Sequence, residues 1–137
     1  MDAKQIIDAN RYMTLATADA QGTPWASPVW FAHREYREFL WVSDPDARHS
    51  RNLAERPELA IAIFDSTVPP PDGTGVYMTA TAEQTTGDIE AFSEQGVAQG
   101  LRAWTLEDVT PPARFRLYRA TVTERWILGE SSVRTRA

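Results

Sequence analysis

Short apolar segments that alternate from face to face, joined by brief connections, leave this chain few ways to fold. The clearest is GVYMTATAEQTT. There Val76, Met78, Ala80 and Ala82 share one face while Tyr77, Thr79, Thr81 and Glu83 share the other, which is the period-two mark of a strand. WASPVWFAH repeats the pattern, with Trp25, Ser27, Val29 and Phe31 opposite Ala26, Pro28, Trp30 and Ala32. YMTLATA precedes it across a turn at Asp19 to Pro24, and FLWVS follows it across a hairpin turn at Arg34 to Glu38. LAIAIFD reads as a buried strand, and RFRLYRATVTERWIL as a long final strand or a strand pair. About six such strands predict a closed antiparallel barrel, because closure removes the unpaired edges a flat sheet would expose.

Helices are expected at the corners. Asp2 to Arg11 carries Ile6 and Ile7 on one side, and Asp44 to Arg56 opens on the helix-start residues Asp44, Pro45 and Asp46. A third helix opens at Gly87-Asp88, with Asp88 as its N-cap and Ile89 and Phe92 spaced to face the same way. The loop Ser66 to Thr74, with three consecutive prolines and Asp72-Gly73, is expected to be exposed. Val97 to Thr110 has no period that decides its structure.

Residues 1–137 make one domain's length of chain. A net charge of −5 argues against a general nucleic-acid or membrane-surface binder. The absence of cysteine removes disulfides, thiolate metal sites and cysteine nucleophiles. The opening residues are too polar for a signal peptide, and no apolar run reaches the ~18 residues of a membrane span, so a cytoplasmic location is expected. Of the 14 basic residues only Lys4 is a lysine; codon bias explains that as readily as function does.

The candidate chemistry is sparse. The two histidines, His33 and His49, sit in no nucleophile or metal-binding motif. No glycine-rich dinucleotide or phosphate loop occurs either. No catalytic acid or base can be named, and His33, beside Arg34, reads as a surface residue. Trp25, Trp30, Trp41 and Trp126 serve as barrel core or interface, or one or two of them stack on a planar ligand. Arg48 and His49 fall in the first turn of the second helix, where unpaired N–H groups carry partial positive charge and make an anion site. The alternative is a solvated face whose arginines pair with acids such as Glu55. Asp44 and Asp46 would weaken an anion site unless they point away as caps.

The order of these segments, with Gly22 to Pro24, Ser27 to Phe31, Val42-Ser43, RHSRNL (Arg48 to Leu53), Pro57 and VYMTATAE, resembles the pyridoxamine 5′-phosphate oxidase-like family of FMN-binding proteins. The resemblance runs from Tyr12 to about Trp126. It implies a mainly β fold with flanking helices, a six-stranded antiparallel split β-barrel that dimerises with FMN at the subunit interface. It implies that Pro28, Val29 and Trp30 lie along the flavin ring and that Val42 and Ser43 meet the cofactor at a strand end. Arg48 then holds the phosphate. His49 stands where many members carry lysine, which implies a weaker or pH-dependent contact, and Ala47 replaces a frequent phosphate-binding serine. Trp126 corresponds to a family tryptophan near the cofactor. The pyridoxamine phosphate oxidases proper carry a C-terminal segment that SSVRTRA does not match, so a small substrate other than vitamin B6 is implied. Other members use the deazaflavin coenzyme in place of FMN, and a flavin- or haem-binding carrier or sensor without turnover would use the same pocket.

Overall fold

A computed structural model describes residues 1–70, 72–128 and 134–136. Asp2 starts the first helix, α1 (Ala3–Ala9), with a reciprocal cap in which its carboxylate takes the Gln5 N–H and the Gln5 side chain returns to the Asp2 N–H. The chain then runs β1 (Tyr12–Ala18), β2 (Pro24–Trp30), β3 (Ala32–Arg34), β4 (Glu38–Ser43), α2 (Arg48–Glu55), β5 (Glu58–Phe64), β6 (Gly75–Thr85), α3 (Ile89–Ala98), a 3₁₀ turn (Leu106–Val109), β7 (Arg116–Leu128) and β8 (Arg134–Arg136). The mainly β architecture with flanking helices is as expected. The strand count is not: the described residues form one antiparallel sheet of eight strands in the order β2-β1-β5-β6-β7-β4-β3, with β8 added to β7.

Two features account for the difference. WASPVWFAH is two strands, because at Phe31 the chain leaves one partner for another. β2 pairs with β1, the Phe31 N–H goes to the Arg11 carbonyl, and β3 pairs with β4. The same stretch of chain thus lies on both outer strands of the sheet and curls it towards closure. The final segment is a single strand of 13 residues, long enough to pair with β6, β4 and β8. The SSVRTRA segment reaches the described residues only at 134–136; residues 131–133 and 137 lie outside them.

The β3–β4 turn is tight because Glu35 and Tyr36 both take positive φ, 52° and 57°, at the centre of a turn closed by the Arg37 N–H on the Arg34 carbonyl at 3.0 Å. Neither is glycine, and the fixed contacts of Tyr36 offset that cost. Its hydroxyl donates to Asp8 at 2.6 Å and its ring stacks on His33 at 4.4 Å. His33 is therefore a half-buried pin between α1 and this hairpin rather than a plain surface residue, with Nε2 3.2 Å from Asp8.

Alternation fills the barrel interior with Met13 and Leu15 of β1, Phe39 and Trp41 of β4, Ile61 and Ile63 of β5, and Val76 and Met78 of β6, while Ile6 and Ile7 of α1 close one end. β4 departs from strict alternation because both its faces are covered. Leu40 and Leu117 pack on the opposite side against Ile89 and Phe92 of α3 and against Val109. Asp88 occupies the expected N-cap position, but its side chain caps nothing. Its buried carboxylate instead pairs with Arg34 and with Arg119, the latter at 2.9 Å. A buried carboxylate with two such partners is not left uncompensated, and the pair fixes where α3 begins. Just beyond the end of α3, Gly100 takes a φ of 84° that carries the chain away from the helix.

Candidate functional site

The site grows from the end of β4. After Ser43 the chain turns on Asp44, whose Oδ1 accepts the Asp46 N–H at 2.9 Å and whose carbonyl accepts the Ala47 N–H at 3.0 Å. Its Oδ2 takes the Arg114 guanidinium at 2.8 Å, which holds the Asp44 carboxyl below the usual carboxylate range. α2 therefore begins at Arg48 rather than at Asp44, with Ala47 at the N-cap position and no side-chain cap. An uncapped start leaves first-turn N–H groups without an intrahelical partner.

The inward face of α2 is polar: His49, Ser50 and Asn52 are buried beside Leu53. Asn52 donates to the Thr17 hydroxyl at 3.0 Å. His49 lies between two hydroxyls, Nε2 2.8 Å from Ser43 Oγ and Nδ1 3.1 Å from Ser27 Oγ. Burial lowers the imidazole's pKa from its ordinary value, which favours the neutral ring, with one N–H and one lone pair. Ser50, 3% exposed, has no hydrogen-bond partner for its Oγ among the described residues.

Ser43 and His49 open onto a cleft of 570 Å³. Pro28, Val29 and Trp30 of β2 and Val42 of β4 line it too. Phe92 and Gly96 of α3, followed by Leu101, Arg102 and Trp104, face them, with Tyr12 and Phe115 completing the wall. The aromatic residues brace one another edge to face: Trp30 on Phe92 at 5.1 Å, Phe92 on Trp104 at 6.1 Å and Trp104 on Phe115 at 6.0 Å. The Trp30 indole N–H donates to Gln99 at 3.0 Å, and the Arg102 guanidinium lies 3.6 Å over the Trp104 ring.

Of the residues singled out from sequence, Pro28, Val29, Trp30, Val42, Ser43 and His49 all line this one cleft. Arg48 does not; its guanidinium sits 4.3 Å over Trp25 on the outer side of α2. His49 is directed into the β2–α2–β4 junction rather than outward along the helix. Trp126, opposite Tyr77 and Arg136 in its ladders, is not among the cleft's lining residues. Sequence reasoning missed the α3 side of the cleft. Phe92 was legible as a packing residue, but Trp104 and Arg102 fall in the aperiodic stretch after Val97. Ser27 lay within the strand motif without marking itself as the partner of His49.

The family model described as pyridoxamine 5′-phosphate oxidase matches residues 2–129. Among solved structures, a haem-binding protein from Mycobacterium smegmatis is similar at 23% identity and a TM-score of 0.77, over 98% of this chain and 55% of that one. The chain thus spans about half the length of that relative. HutZ, the haem storage protein from Vibrio cholerae, is similar at 23% identity and a TM-score of 0.67, over 88% of this chain and 87% of that one. A protein described as an F420 reductase is similar at 18% identity and a TM-score of 0.68, over 91% and 96% of the two chains. At these identities the likeness is one of fold, the split barrel. The curated proteins gave no match. Among the described residues no helix is long and apolar enough to cross a membrane.

Proposed function

The chain belongs to the pyridoxamine 5′-phosphate oxidase family, and from that premise we propose that it is a homodimeric FMN-binding protein that acts as a flavin-dependent oxidoreductase on a small substrate. The observation that carries this reading is convergence. Six residues picked out at separate places in the sequence line a single aromatic-walled cleft, whose 570 Å³ lies within the roughly 300–1,000 Å³ of small-molecule sites.

The residues suit such a guest. Flat walls from Trp30, Phe92 and Trp104 match a planar ring, and the Ser43 hydroxyl supplies a polar contact at the strand end. Next to His49, the uncapped start of α2 and the exposed Arg48 guanidinium offer donors to a phosphate. FMN, when bound, supplies the hydride or electron transfer; the protein supplies position, polarity and shielding. Pro28 lacks an N–H, so the outer side of β2 can be approached without breaking a ladder bond. The α3 side, anchored by Asp88, keeps water from the opposite face. Haem held through an imidazole or thiolate fits less well: there is no cysteine, both ring nitrogens of His49 face serine hydroxyls, and His33 is held by Asp8 and Tyr36.

The outer face of β2, β1 and β5 supports the dimeric reading. Its cross-strand rows read Ala26, Ala16, Ala60 and Pro28, Thr14, Ala62. Exposed Tyr12 and Phe64, 62% and 56% accessible, flank these small side chains. A flat surface of that kind lets a second backbone approach closely, and because Pro28 and Tyr12 also line the cleft, the second copy would cover its open side.

Absorbance of the purified protein and an FMN titration test the reading, with light scattering at micromolar concentration for the dimer. Flavin bands, saturable FMN binding and a two-chain mass are expected. A lone deazaflavin band or a haem Soret band in the purified protein, with no FMN affinity, would replace it.

A further inference from the structure

We propose that Ser27, His49 and Ser43 form a reversible hydrogen-bond relay in which the tautomer of His49 decides whether the Ser43 hydroxyl presents a proton or a lone pair to the cleft. The proposal rests on the flavin reading above and assigns these residues a task within it.

The geometry is a chain of three groups. Ser27 on β2 meets Nδ1 at 3.1 Å, and Nε2 meets Ser43 on β4 at 2.8 Å. A neutral imidazole has one donor and one acceptor nitrogen, whereas each hydroxyl both donates and accepts. In one direction the Ser27 O–H donates to Nδ1, Nε2–H donates to Ser43 Oγ, and the Ser43 O–H is free to donate into the cleft. In the other a donor in the cleft reaches Ser43 Oγ, the Ser43 O–H donates to Nε2, and Nδ1–H donates to Ser27 Oγ. The three groups carry three protons in both arrangements and remain uncharged. The change is one proton's transfer between ring nitrogens and the rotation of two hydroxyls.

Most buried histidines have their tautomer set by a carboxylate or a backbone carbonyl on one nitrogen. The ring partners of His49 are instead two serine hydroxyls, each able to donate or accept, so both directions are open to it. Such a group suits a ligand whose ring nitrogen is an acceptor in one oxidation state and an N–H donor in the other, as in oxidised and reduced FMN. A hydroxyl fixed as donor would serve only the first. Ser27 and His49 act here through Ser43 and are positioning residues.

The test uses ¹⁵N-histidine-labelled protein with oxidised FMN and with dithionite-reduced FMN under anaerobic conditions. The Nε2–H tautomer of His49 is expected with the oxidised form and the Nδ1–H tautomer with the reduced form. One tautomer with both forms overturns the relay and leaves flavin binding standing. Failure of the wild type to bind FMN in either state removes both.

Discussion

α1 and α2 are almost the same length, 7 and 8 residues, yet they bury opposite chemistry against one barrel. α1 turns Ile6 and Ile7 inward, whereas α2 turns in His49, Ser50 and Asn52 with a single Leu53. An apolar face stabilises by leaving water, at about 1.5–3 kcal/mol for a fully buried large aliphatic side chain. A polar face gains little net and costs more if a partner is lost. α1 is thus a lid held by the hydrophobic effect, and α2 keeps an arrangement that stability alone would replace with apolar residues. Where a fold keeps polar groups under cover at an avoidable cost, their arrangement is a reason to look for a ligand.

The contrast can be broken by substitutions that ought to act on one helix's property and spare the other's. The largest effect is expected at α1. Ile7, 1% exposed, leaves a cavity as alanine, and Ile7→Ala should cost about 2–5 kcal/mol of unfolding free energy in a denaturant titration. FMN affinity of the folded fraction should stay put; a parallel loss of affinity would mean the two ends of the barrel are not separate.

At α2 the order reverses. Arg48→Ala is expected to leave the melting temperature nearly unchanged but to weaken FMN roughly 10- to 150-fold, the equivalent of one charge-assisted hydrogen bond of about 1.5–3 kcal/mol. Riboflavin, which lacks the phosphate, should bind both proteins alike. Equal FMN affinity for wild type and variant would confine Arg48 to its place over Trp25.

The smallest effect concerns pH. Burial lowers the His49 pKa from 6.5, so the unfolded chain takes up a proton at a higher pH than the folded one. The associated stability is present above about pH 6.5 and is lost as pH falls towards the folded-state value. Melting temperature should therefore drop between pH 7.5 and 5.5, and His49→Gln, whatever its own cost, should flatten that slope. An unchanged slope would assign the acid sensitivity elsewhere.

How far the chain could be read in advance differs by region for physical reasons. β6 was legible because one covered face and one open face force alternation from Val76 to Glu83. The break at Phe31 was not, because alternation runs on through it and only the hydrogen-bond partner changes. Asp44 and Asp88 have the composition of helix caps, but Arg114 in one case and Arg34 with Arg119 in the other claim their carboxylates, and those arginines are distant in sequence. The β2 and β4 side of the cleft was accessible through a run of ordered motifs. The α3 side depends on Phe92, Trp104 and Phe115 meeting in space, and no local period carries that information.

The strand order has a consequence for when the site comes into being. Ser27, Ser43 and His49 all precede in the chain residues 116–121 of β7, with which β4 makes its long ladder. Until those residues are available, β4 has only the three-residue β3 beside it. The floor of the cleft is thus made well before the strand that secures it. Until β7 is made, Phe39, Leu40 and Trp41 lack the strand that pairs with them in the fold.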